Sequence, residues 1–65
     1  MKVNYDKLWK LMIDKKINKT HLSEQAQITT NEMAKMGKNE VVKMETLVKI
    51  CKVLDCTIDS IVEIN

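Results

Sequence analysis

Residues 18–37 read NKTHLSEQAQITTNEMAKMG, and the spacing within this stretch decides the fold. Asn18 is placed to cap a helix over Lys19–Ala26, with Leu22 and Ala26 facing inward. Gln27 and Ile28 make a brief break. Thr29-Thr30-Asn31-Glu32 then fits a capping box: the Thr29 hydroxyl meets the Glu32 amide while the Glu32 carboxylate reaches back. The helix so started runs through Met36, and Gly37 is expected to stop it in the left-handed conformation. Leu22, Ala26, Ile28, Met33 and Met36 are spaced four, two, five and three apart. Those intervals set five apolar side chains between two crossed helices and the rest of the domain, as in a helix-turn-helix. The small Ala26 permits close approach, and Ile28 plugs the base of the angle.

Outward from this core, periodicity predicts three more helices. In Asn4–Lys15, Tyr5, Leu8, Leu11, Met12 and Lys15 fall on one face, with Asn4 as cap. Trp9 and Ile13 lie beside that stripe, toward the last segment or a second subunit. Lys38–Lys43 is a polar loop pinned by Val41 and Val42. Met44, Leu47, Ile50, Cys51 and Leu54 trace the stripe of a helix over Met44–Leu54, widened by Val48. Asp55-Cys56 is a turn, Thr57 a cap, and Ile58–Glu63 a last short helix with some strand-like alternation.

Composition agrees with an all-α reading. The 65 residues include one Gly and no Pro, and none of the Asn-Gly or Asp-Gly pairs that hairpins favour. A chain of this length forms one domain, spanning residues 1–65. With no Phe, one Trp and one Tyr, its core rests on Leu, Ile, Val and five Met. No run is long and apolar enough for a membrane span, and no signal peptide precedes the first helix, so a cytoplasmic protein is expected. Two Cys and one His cannot assemble a four-ligand zinc site in a monomer. Cys51 is expected to pack as a small hydrophobe and Cys56 to follow the helix end, without a disulfide. No metal and no cofactor is expected.

The segments LWKLMIDKKINKTHLSEQAQITTNEMAKMGKNE (8–40) and METLVKICKVLDCTIDSIVEI (44–64) carry a resemblance. They are similar to the Cro/C1-type (Xre-like) helix-turn-helix family of small bacterial and phage transcriptional regulators. The pattern LxxLxxxxxINKTxLSxxAxITTNxMAKMGKxE is fairly specific as a whole. The resemblance implies a five-helix, lambda-repressor-like DNA-binding domain with its helix-turn-helix at about 19–36. Four positions depart from the family pattern: Ser23 for a usual Ala, Gln27 and Lys16 where Gly is frequent, and Lys43 where Ser or Thr commonly caps. Gln can adopt the left-handed region at a cost of about 1 kcal/mol.

The resemblance makes residues 30–36 a recognition helix in the major groove. Its base-contact candidates are Thr30, Asn31, Ala34 and Lys35. Asn31 can bond adenine N6 and N7, Ala34 can meet a thymine methyl, Thr30 a base or phosphate, and Lys35 guanine or phosphate. Phosphate-contact candidates are Asn18, Lys19 and Thr20, with Thr29, and Lys38, Asn39 and Lys43 on the other flank. His21 stands beside the first group. Glu32 would be repelled by DNA unless the capping box engages it or cytosine N4 donates to it.

Charge is graded along the chain. Residues 1–21 carry six Lys and two Asp, a net +4; residues 22–65 carry five Lys and seven acids, a net −2. All eleven basic residues are Lys, so bidentate reading of guanine by Arg is excluded. A single weakly basic domain predicts modest, salt-sensitive affinity, which a homodimer on a two-fold operator would raise. The expected partner is double-stranded DNA, with no membrane and no small-molecule effector. An enzyme is not expected: the lone His has no partner at an interpretable spacing, and there is no phosphate loop. The alternative is a protein-interaction module, an antitoxin or accessory regulator on the same fold.

Overall fold

The computed structural model describes residues 2–64. In chain order it contains β1 (Val3–Asn4), α1 (Asp6–Asp14), α2 (Lys19–Ala26), α3 (Thr30–Gly37) and α4 (Met44–Leu54). A 3-10 turn (Ile58–Ser60) and β2 (Glu63–Ile64) complete it. The boundaries of α2, α3 and α4 lie within one residue of those read from periodicity and caps. No helix of the described residues is long and apolar enough to cross a membrane.

Among the described residues the expected five helices are corrected to four α-helices, a 3-10 turn and a two-stranded ribbon. Val3 pairs with Ile64 and Asn4 with Glu63, antiparallel. Asn4 also donates from its side-chain amide to the Glu63 carboxylate at 3.3 Å. These pairings draw both ends out of helical geometry. Asn4 therefore belongs to β1, and Tyr5 takes the N-cap position of α1 without a side-chain cap bond. The Asn4 side chain still accepts from the Asp6 amide, at 3.2 Å. At the other end Ile61 is fully buried while Ile58 and Val62 are half-buried, and the backbone beyond the 3-10 turn extends into β2. Thr57 precedes that turn, but its hydroxyl meets the Asp59 carboxylate at 2.6 Å and not a backbone amide.

The core is built by α1, α2, α3 and α4 together. Tyr5, Leu8, Met12, Leu22, Ile50 and Leu54 are at most 4% exposed. All five side chains of the helix-turn-helix pattern, Leu22, Ala26, Ile28, Met33 and Met36, are buried. Tyr5 also reaches across the domain: its hydroxyl donates to the Glu40 carbonyl at 2.6 Å, tying α1 to the α3–α4 loop. Lys15, expected on the inner stripe of α1, lies beyond the helix end and is exposed. Trp9 is half-buried against the core and packs with Lys19 at the start of α2, while Ile13 is 75% exposed.

Each α-helix ends at or before a residue of positive φ, and none of the four is glycine: Lys16 (57°), Gln27 (56°), Asn39 (59°) and Asp55 (53°). The amide after each bonds back five residues, as in Ile17 to Met12 (3.0 Å), Ile28 to Ser23 (3.1 Å), Glu40 to Lys35 (2.9 Å) and Cys56 to Cys51 (3.1 Å). This is the Schellman arrangement, which satisfies carbonyls that a helix end leaves free. Gly37 was expected at such a position. Instead it closes α3 with an ordinary φ, and the reversal falls two residues later, on Asn39. Asn tolerates that region better than most side chains, so the turn has no need of the glycine.

Candidate nucleic-acid interface

Two capped helix starts frame the site. Asn18 has extended backbone, and its side-chain oxygen accepts the His21 amide at 2.7 Å. At the head of α3 the capping box is complete. The Thr29 hydroxyl accepts the Glu32 amide at 3.1 Å, and Glu32 Oε1 accepts the Thr29 amide at 3.2 Å and its hydroxyl at 3.3 Å. Ser23, the departure from a usual Ala, is buried without strain in its bonding: its hydroxyl donates to the Lys19 carbonyl at 2.8 Å.

Sequence spacing gave Glu32 one role, and the fold gives it two. Its other carboxylate oxygen accepts a hydrogen bond from the Thr46 hydroxyl in the first turn of α4. Thr46 is 3% exposed. The Thr46 hydroxyl, and after it the Thr29 amide, hold the Glu32 carboxyl below its ordinary range, with Lys43 adding a nearby positive charge. A low value means the group stays ionised and engaged within the protein. The carboxylate that threatened to oppose DNA is thus turned toward α4.

The exposed side of α3 presents two rows of small and polar side chains. Thr30, Ala34 and Gly37, at i, i+4 and i+7, border an open concavity of about 370 Å³ whose other wall is Lys19 and Thr20 of α2. Asn31 and Lys35, at i and i+4, border a second concavity of about 330 Å³ whose far wall carries Val41 and Lys43. All four base-contact candidates are exposed, two on each row. Lys19, Thr20 and Lys43 are gathered beside them. Asn18, Lys38 and Asn39 are exposed but line neither concavity, and the Thr29 hydroxyl is already engaged by Glu32.

Three residues that shape this surface were not read from the sequence as part of it. Gly37 continues the Thr30–Ala34 row, and counting by four and three from Thr30 would have found it. Val41, 64% exposed, stands against Asn31 and Lys35. No periodic signal marks it, because it lies in a loop. Thr46, fourteen residues from Glu32, carries no local signature at all.

Lys19 is not extended into solvent. Its ammonium stands 4.6 Å from the centre of the Trp9 ring, and a Cβ on Gly37 would lie 3.9 Å from it. It therefore bridges α1, α2 and the end of α3, where helix carbonyls favour a cation. Among the described residues the ion pair within 4 Å is Glu45–Lys49, at 3.3 Å on the exposed side of α4. Lys35, Lys38 and Lys43 make no ion pair with a described carboxylate and are open to an anionic partner.

Comparison with known proteins agrees with this geometry. Residues 7–65 match the Cro/C1-type HTH DNA-binding domain. Among solved structures the chain is similar to the crystal structure of the transcriptional regulator VanUg, Form II. The identity is 42% and the TM-score 0.92, covering 95% of this chain and 83% of that one. Among curated proteins, none matches.

Proposed function

The chain belongs to the Cro/C1-type helix-turn-helix DNA-binding family, and from that membership we propose that it acts as a sequence-specific regulator, with α3 in the major groove. The observation that carries this reading is the exposed face of α3. It offers small, polar and cationic side chains in two rows, while its one carboxylate is bound elsewhere. Asn31 suits adenine N6 and N7, Ala34 a thymine methyl, and Thr30 and Lys35 a base edge or phosphate. Asn18, Lys19, Thr20, Lys38, Asn39 and Lys43 serve the backbone on either side.

The molecule works as a homodimer in this reading. Its longest dimension is 29 Å, shorter than the roughly 34 Å between successive major-groove faces on one side of the duplex. One copy therefore covers one half-site. An apolar cluster is available for the second copy: Val41, Met44 and Ile64 are each more than 60% exposed around a shared apolar hollow, and Val48 lies one turn along α4. The same cluster favours the second reading, in which the domain docks a different protein.

Titration of random-sequence duplex at low and then higher salt tests the proposal. We expect binding with a steep salt slope that Lys35→Glu or Lys19→Glu flattens. Absence of binding at tens of micromolar protein and low salt overturns it. Light scattering tests the dimer: a monomer well above micromolar concentration, for a chain that binds duplex, removes the two-fold argument.

A further inference from the structure

The head of α3 is fastened to the head of α4 by a single side chain. One carboxylate oxygen of Glu32 accepts the Thr29 amide and hydroxyl, at 3.2 and 3.3 Å. The other accepts the hydroxyl of Thr46, which is 3% exposed. Among the described residues no buried side-chain polar atom lacks a partner, so this bond completes the accounting for Thr46. The apolar grip on α3 is less directional. Its inward side chains are Met33 and Met36, and thioether chains repack readily around small rotations. Apolar contact alone therefore leaves the roll of α3 about its own axis loosely defined. A directional hydrogen bond from the buried Thr46 hydroxyl of a neighbouring rigid helix does not.

We propose that Glu32 and Thr46 are a positioning pair for DNA recognition, their bond setting the roll of α3 and with it the direction of Thr30, Asn31, Ala34 and Lys35. The proposal rests on the reading of α3 as the recognition helix. A roll of about 15° carries a side-chain tip about 6 Å from the axis through about 1.5 Å, enough to spoil a bidentate contact to a base. Neither residue needs to touch DNA for this. Both Glu32 oxygens are engaged inside the protein, so Glu32 does not read cytosine.

Three variants test the pair: Thr46→Val, which keeps the shape and removes the hydroxyl, Thr46→Ser, which restores it, and Glu32→Gln. The wild-type chain first selects a duplex from a random pool. Each variant is then measured on that duplex and on a scrambled duplex of equal length. Thr46→Val should reduce the ratio of the two affinities about tenfold, leave scrambled-duplex binding within about twofold, and weaken preference across the whole site. Thr46→Ser should keep the wild-type ratio. An unchanged ratio in Thr46→Val overturns the proposal, as does equal loss on both duplexes or a Glu32→Gln effect confined to one base pair.

A second measurement needs no DNA. Amide hydrogen exchange in Thr46→Val should quicken across residues 30–37 relative to α2, and Thr46→Ser should not show it. Uniform exchange rates across α2 and α3 in both variants overturn the coupling directly. Failure of the wild-type chain to bind any duplex would instead count against the recognition-helix reading.

Discussion

The Lys19 ammonium and the Trp9 ring form a cation–π contact, 4.6 Å from nitrogen to ring centre, at the edge of the surface we assign to DNA. Trp9 is the only tryptophan in the chain. A phosphate that draws Lys19 off the ring must change the environment of that one fluorophore. Duplex titration should therefore shift or quench the emission of Trp9, and Lys19→Met should remove the change while retaining the fold. Emission that is constant through saturation, in a chain shown to bind by another method, would place Lys19 outside the contact. Trp9→Leu should cost about 1–2 kcal/mol in denaturant unfolding, from lost ring burial and the lost cation contact.

Glycine and the left-handed positions of this chain are mismatched. Lys16 and Gln27 hold φ of 57° and 56°, a conformation that glycine reaches without steric cost. Lys16→Gly and Gln27→Gly should each stabilise by about 0.5–1 kcal/mol. Gly37 is helical instead, and a Cβ there would meet only the Lys19 ammonium, at an ordinary 3.9 Å. Gly37→Ala should add a similar amount through helix propensity. Thermal melts read all three, at about 4–8 °C per kcal/mol for a domain of this size. A fall in midpoint for any of them would contradict the backbone account.

Stability should decline in acid partly through Glu32. Its carboxyl titrates below its ordinary range because Thr46 and Thr29 donate to the ionised form. A depressed folded value contributes stability above the unfolded value, and that stability is lost as pH falls through the folded one. The midpoint of thermal unfolding should therefore drop between about pH 5 and pH 3, and Glu32→Gln should flatten that drop. Part of it should persist in the variant, because Asp59 is also held low, by the Thr57 hydroxyl. An identical pH profile in Glu32→Gln and wild type would remove Glu32 from the account.

The two thiols should separate by reactivity. Cys51 is buried, and burial, followed by the neighbouring Cys56, pushes its thiol up to about 11. Cys56 is half-buried at the start of the following turn. A disulfide-exchange reagent at pH 8 should take one thiol quickly, at Cys56 by mass spectrometry, and the second only as the chain unfolds. Rapid labelling of both in the folded protein would contradict the burial of Cys51.

What could be read from the sequence was local. The intervals among Leu22, Ala26, Ile28, Met33 and Met36 span fifteen residues, and the Thr29–Glu32 box spans four, so ordinary helical spacing exposes both. The rows carrying Thr30, Asn31, Ala34 and Lys35 follow from the same period. What escaped was either distant or degenerate. The Val3–Ile64 pairing joins opposite ends of the chain, and two-residue strands have too short a period to announce themselves. Glu32 and Thr46 meet only because two helix starts converge. Gly37 misled because helix length was settled by Asn39, which accepts the left-handed turn two positions on.

The β1–β2 ribbon also gives the molecule a direction in time. Synthesis delivers β1 first and β2 last, with all four α-helices between them. At roughly 5–20 residues per second, β1 waits on the order of 3–12 s for its partner. During that interval the helices can find one another, while the edge of β1 stays open to any passing strand. The ribbon works as a latch that engages only after the last helix has been made. Crowded translation, more than the finished fold, is the setting in which this small chain is most exposed to mispairing.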